Sequence, residues 1–172
     1  MCAGPLPTMT IMTDIGIRTI GAADVGTVVR MVHDLAAYER SAHECLLTED
    51  QLRAALFGPS PALHGHVAQA DGQVVGFVLW FLNFSTWTGV HGVYGEDMYV
   101  EPAYRGLGVG RALFRAMARV CVERGYGRLE FWTLDWNTDT IAFTSSLGAK
   151  PMDEWTVYRI SGPELAELGG DG

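Results

Sequence analysis

Val100-Glu101-Pro102-Ala103-Tyr104-Arg105-Gly106-Leu107-Gly108-Val109-Gly110 is the stretch from which the rest of the chain can be read. It follows an extended-looking run over residues 93–100 and precedes a helical one over 111–122. Three glycines and an arginine therefore fall where a strand hands over to a helix. Glycines allow positive φ and close approach of the backbone to a ligand. Successive N–H groups converge on an anion, and the helix adds the positive end of its dipole. Arg105 adds a permanent charge. The spacing matches neither the dinucleotide fingerprint G-x-G-x-x-G nor a phosphate loop ending in Gly-Lys-Ser/Thr. Taken alone, the stretch would read as a generic glycine-rich turn.

Outward from the loop, the preceding strand carries Glu96-Asp97 inside an otherwise apolar or aromatic run. Neighbours on a strand face opposite ways, so one of the two carboxylates is expected to face a cleft. Further upstream, Asp71-Gly72 separates two strand-like runs, 63–70 and 73–84, with the signature of a two-residue hairpin. The second run is continuously apolar from Phe77 to Leu82, as in a central strand buried on both faces. Near the N-terminus a strand over 15–20 gives way to helical spacing at Val25, Val28, Val29, Val32 and Leu35, ending near Tyr38 to Arg40. Thr48 and Gln51 form a capping box for a short helix stopped by Gly58-Pro59. Downstream of the loop, the helix should stop at Arg124-Gly125. A strand over 128–133, a helix over 138–146 capped near Asn137 and closed by Gly148, and a last strand over 155–160 follow. This pattern predicts one α+β domain over residues 14–160, between a loose arm, 1–13, and a flexible tail, 161–172.

Composition narrows the function classes. A chain of 172 residues that is 48% hydrophobic can bury a continuous core. No run is long and apolar enough for a membrane span, and the N-terminus does not read as a secretory signal, so the cytoplasm is the expected compartment. Cys2, Cys45 and Cys121 are odd in number and widely spaced, which fits free thiols and neither a disulfide framework nor a metal site. A net charge of −8 repels nucleic acid and attracts small cations.

The R-G-x-G-x-G run, Trp136-Asn137 and the stretch from Phe143 to Leu147-Gly148-Ala149 together resemble the GCN5-related N-acetyltransferase (GNAT) superfamily. Tyr38-Glu39, Leu47-Thr48-Glu49-Asp50, Phe57-Gly58, Trp87 with Gly89, Tyr94-Gly95-Glu96-Asp97 and Asp135-Trp136-Asn137 are most similar to its diamine and polyamine branch, the spermidine/spermine and thialysine type. The resemblance spans residues 17–160. It implies a three-layer fold around a central, strongly twisted mixed sheet. It also implies acetyl-CoA as cofactor, a small cationic amine as acceptor, and a homodimer.

By the same resemblance, Arg105, Gly106, Leu107, Gly108, Val109 and Gly110 hold the pyrophosphate, while the backbone of Met98 and Val100 holds the pantetheine arm. The N–H of Met98 or of a nearby residue faces the thioester oxygen, and Asn137 and Phe143 also touch the cofactor. Glu96 is implied as the proton-relay carboxylate, and Tyr38, Glu39, Trp87, Glu96 itself, Asp97 and Trp155 as acceptor contacts. One position departs from the family pattern: Thr144 stands where a tyrosine usually protonates the leaving thiolate, and a hydroxyl of that kind is a far weaker acid. Two other readings remain open here. One is an acetyltransferase for thialysine, another amino acid or an aminoglycoside; the other is a non-catalytic acyl-CoA-binding regulator.

Overall fold

Asp71 and Gly72 make the turn that their sequence calls for, with φ of 51° and 76°, joining β2 (His64–Ala70) to β3 (Gln73–Ser85). This hairpin is the middle of the fold. The computed structural model describes residues 14–170, so the expected arm over 1–13 lies outside the described residues. The chain forms two compact units, one up to Trp132 and one from Thr133 onward.

The first unit is built on a sheet of order β1-β2-β3-β4-β5, with β1 at Gly16–Thr19, β4 at Val90–Val100 and β5 at Leu129–Phe131. Strands β1 to β4 pair antiparallel and β5 joins β4 in parallel, which makes the sheet mixed. As its apolar run requires, β3 is buried on both faces from Val75 to Trp80. One face is covered by α1 (Val25–Tyr38) and α2 (Glu49–Phe57), whose Val28, Met31, Leu52 and Leu56 pack on Val67, Phe77, Leu79 and Tyr99. The other face carries α3 (Val109–Arg124), with Leu113, Phe114, Met117 and Cys121 buried. Helices, sheet and helix make three layers, the α+β arrangement expected.

Local signals set the ends of these elements. The Thr48 hydroxyl accepts from the Gln51 N–H and the Gln51 amide oxygen from the Thr48 N–H, closing the capping box. Gly125 ends α3 in the left-handed conformation.

Register places one irregularity where it matters most. Leu79 pairs with Asp97, but the next residue, Trp80, pairs with Gly95, so Glu96 is an extra residue on β4. It is a β-bulge, which bends the strand and re-aims side chains. Beyond Gly95 the β5 pairing also stops.

The second unit contains α4 (Thr138–Ser145) and α5 (Gly162–Gly169). Here two expectations fail. Residues 155–160 form no strand and are exposed, because alternation supplies a strand with faces but not with a neighbour to bond to. Within the expected flexible tail, residues 162–169 are helical instead, with Pro163 in the first turn and Glu164 at the positive end of the dipole.

Candidate active site

The free half of β4 follows from hydrogen-bond alternation. Glu101 N–H donates to Val75 C=O, so the pairs on that parity, Tyr99 with Phe77 and Asp97 with Leu79, direct their backbone groups at β3. Met98 and Val100 are on the other parity. Their N–H and C=O groups point away from β3, at the edge that β5 has left uncovered. This is the geometry expected of a strand that holds an extended chain of amide groups, and Met98 and Val100 are the residues that the resemblance singles out.

At the end of β4 the chain makes a short 3₁₀ turn over Pro102–Tyr104 and enters α3 through Gly106 and Gly108, with φ of 76° and 89°. A side chain at either glycine would be strained by that φ alone. The space beside both is open: a Cβ on either would meet nothing within 4 Å. Gly108 caps α3, whose first turn presents N–H groups without intrahelical partners to the same open side. Leu107 is exposed, whereas Val109 is buried and anchors the helix start. Gly110 follows within the first turn. An anionic pyrophosphate with a pantetheine arm suits this loop and edge.

Arg105 has a second engagement. Its Nε donates to Val100 C=O at 2.9 Å. Its guanidinium carbon lies 5.7 Å from the Tyr38 ring centre and 5.5 Å from that of Tyr99, within cation–π range of both. Arg105 thus ties the glycine loop to the C-terminal end of α1.

That helix end opens a cleft. Arg40, with φ of 65°, reverses the chain after α1, and Ser41 N–H returns to Ala36 C=O. The reversal brings Ser41, Glu44 and Cys45 round to face Val32, Leu35, Ala36 and Glu39 across a cavity of about 200 Å³ whose far wall is Asp97. Burial, and then the charges of Glu96 and Glu39, push the Asp97 carboxyl up to about 6; burial also raises that of Glu39. Of the two neighbours on β4, Asp97 faces this cleft beside Glu39, and Glu96 stands on the bulge, exposed. Glu44 and Cys45 were not legible as site residues, because they lie in an aperiodic loop placed by the reversal at Arg40.

The remaining expected residues are spread more widely. Trp87 is at the tip of the β3–β4 hairpin, 86% exposed. In the second unit, the Asn137 side chain caps α4 by accepting from the Thr140 N–H. Phe143 is half-buried on α4, and Trp155 is exposed. Thr144 is buried, and its hydroxyl donates to Thr140 C=O at 2.9 Å. A hydroxyl proton held by its own helix is a poor one to give to a thiolate. Among the described residues no cluster of His, Cys, Asp and Glu is placed to hold a metal ion.

Residues 29–149 match the acetyltransferase (GNAT) family model. The chain is 36% identical to the thialysine N-epsilon-acetyltransferase of Mus musculus, over 92% of this chain and 99% of that protein. It is 28% identical to the L-ornithine N5-acetyltransferase NATA1 of Arabidopsis thaliana, over 88% of this chain and 86% of that one. Among solved structures, an integron cassette protein from the mobile metagenome of V. cholerae superposes with a TM-score of 0.76 at 22% identity, covering 91% of this chain and 98% of that one.

Proposed function

The chain belongs to the GNAT acetyltransferase family, and on that footing we propose that it transfers the acetyl group of acetyl-CoA to a primary amine of a diamine or polyamine. The observation that carries the acceptor class is the cleft lined by Glu39, Glu44 and Asp97 beside the uncovered edge of β4. Glu39 and Asp97 are half-buried, Asp97 with its carboxyl pushed up to about 6, and Glu44 stands exposed at the rim; an ammonium group is the ligand that relieves the desolvation and mutual repulsion of such carboxylates.

Bound acetyl-CoA supplies a thioester carbonyl; the chain's own groups do the rest. Backbone N–H groups at the start of α3 and Arg105 bind the pyrophosphate, and Met98 and Val100 hold the pantetheine arm along β4. The Met98 N–H, fixed in place before reaction, faces the oxygen on which negative charge develops. An alkyl ammonium, with an ordinary pKa of about 10.4, must first lose a proton. Asp97 receives it in the cleft, and exposed Glu96, the residue before it, passes it to water. The neutral amine then attacks: the N–C bond forms, the nitrogen gives up its second proton by the same carboxylate route to water, the C–S bond breaks, and the thiolate takes a proton from solvent, since the Thr144 hydroxyl is committed to its own helix.

A second reading, an amine at the end of an amino acid side chain, is supported by the named activities of the relatives. Thiol release from acetyl-CoA, measured across diamines, polyamines, thialysine, ornithine and an aminoglycoside, tests the proposal. Highest kcat/KM on diamines or polyamines supports it; highest kcat/KM on an amino acid favours the second reading; no thiol release with any amine would favour a binding protein.

A further inference from the structure

The bulge at Glu96 has a geometric effect beyond Glu96 itself. Tyr94 and Asp97 are an odd number of residues apart, and in a regular strand they would face opposite sides of the sheet. With one extra residue between them they share a side: Asp97 pairs with Leu79 and Tyr94 with Phe81, and Leu79 and Phe81 alternate onto one face of β3. The cleft floor at Asp97 therefore continues along the sheet into Phe81 and Tyr94, whose ring centres are 4.9 Å apart. Trp132 meets Tyr94 edge-on at 5.7 Å and is 60% exposed. Glu130 pairs in register with Tyr94, bonded through one carboxylate oxygen to Asn83 at 2.6 Å and to Arg128 at 2.8 Å. Past the acidic cleft there is thus a strip of aromatic rings, with charged groups at its border.

We propose that Phe81, Tyr94 and Trp132 form an extension of the acceptor site that takes the methylene chain and distal ammonium of an elongated diamine or polyamine, with Trp132 as its specificity-determining residue. The inference rests on the proposed acetyl transfer to such amines. The rings of the strip suit such a chain, while Glu130 at the border is already paired with Arg128. Ring faces pack methylenes and attract an ammonium, and the chain's net charge of −8 favours a polycation. Asp97 to Tyr94 spans roughly 7 Å, the rise of the two-residue step from Leu79 to Phe81 on the partner strand. A short diamine engages only the cleft, and a long one reaches the rings.

The test uses the full chain with saturating acetyl-CoA and a series of linear diamines from diaminopropane to diaminododecane, for the native protein and Trp132→Ala. For the native protein kcat/KM should rise with chain length. In Trp132→Ala the rise should flatten, with about a tenfold loss on long diamines and less than a twofold change on diaminopropane. Trp132→Phe should recover part of the length dependence. An equal loss at every length, or none, overturns the proposal. Calorimetric titration of diaminooctane and diaminopropane onto the protein saturated with coenzyme A separates this from the underlying reading. If no diamine is acetylated, yet diaminooctane binds tightly in the native protein and about tenfold more weakly in Trp132→Ala, the strip stands and the assigned reaction falls. If diaminooctane binds no better than diaminopropane, the strip falls.

Discussion

Asp97 owes its proton affinity of about 6 to burial first and to the charges of Glu96 and Glu39 second, which suits it to exchange a proton near neutral pH. The acid limb of kcat/KM should have its midpoint close to that value and should disappear in Asp97→Asn together with most of the activity. In Glu96→Gln, turnover should fall about 10²–10⁴-fold near pH 7 with acetyl-CoA affinity intact. Full turnover by Glu96→Gln at that pH would remove Glu96 from the proton route. Stability should move the opposite way. A carboxyl whose folded-state pKa is raised stabilises the fold below its unfolded value, near 3.8, and loses that contribution as pH rises through about 6. Asp97→Asn should therefore have the higher Tm at pH 7, by scanning calorimetry, and no such advantage at pH 3. Arg105 joins two parts of the molecule, the Val100 carbonyl at the loop and the Tyr38 ring at the end of α1. Arg105→Ala should weaken coenzyme A binding by about 1.5–3 kcal/mol. It should also raise the KM for the amine several-fold, because Tyr38 and the end of α1 lose their tie to the loop. Weaker coenzyme A binding with an unchanged amine KM would show that the tyrosine contacts position nothing.

What was legible in the sequence was what neighbouring residues decide among themselves: the Asp71-Gly72 turn, the Thr48-Gln51 capping box, the stop at Gly125. The bulge at Glu96 was not, since an extra residue is defined only against the strand it pairs with. The different settings of Glu96, exposed on the bulge, and Asp97, facing the cleft, were hidden with it, although the pair itself stood out. The contact of Arg105 with Tyr38 joins residues far apart in the chain, and no local pattern announces it. Residues 155–160 erred in the other direction, since their alternation is genuine but among the described residues they join no sheet. The β2–β3 hairpin offers a prediction at this scale. His66 Nδ1 accepts from the Trp80 indole N–H at 3.2 Å, and burial, then the charge of His64, lowers the imidazole's proton affinity. A group with a depressed folded-state pKa stabilises the fold above its unfolded value, near 6.5, and that contribution is lost as pH falls through the folded one. The Tm should drop between pH 7 and 5, and His66→Gln, which keeps an acceptor without a titrating ring, should flatten that part of the profile. An identical acid slope in the variant would place the loss elsewhere.

At the scale of the whole molecule, we propose that the protein works as a homodimer. Trp155, Val157, Tyr158, Ile160, Leu165 and Leu168 are all more than half exposed in the single chain, an apolar surface that a second copy suits. Light scattering at micromolar concentration should return about twice 18.7 kDa, and Trp155→Glu should shift the mass toward the monomer. A single-chain mass for the native protein would refute the assembly. The acidic cleft has a consequence for turnover as well. Acetylation converts an ammonium into a neutral amide, so the product carries one positive charge fewer than the molecule that entered. On the proposed reaction Glu39, Glu44 and Asp97 would hold it less tightly than fresh acceptor, and release would be favoured by the charge change that the reaction makes. Product inhibition should accordingly be weak at low ionic strength and grow relative to substrate binding as added salt screens the carboxylates.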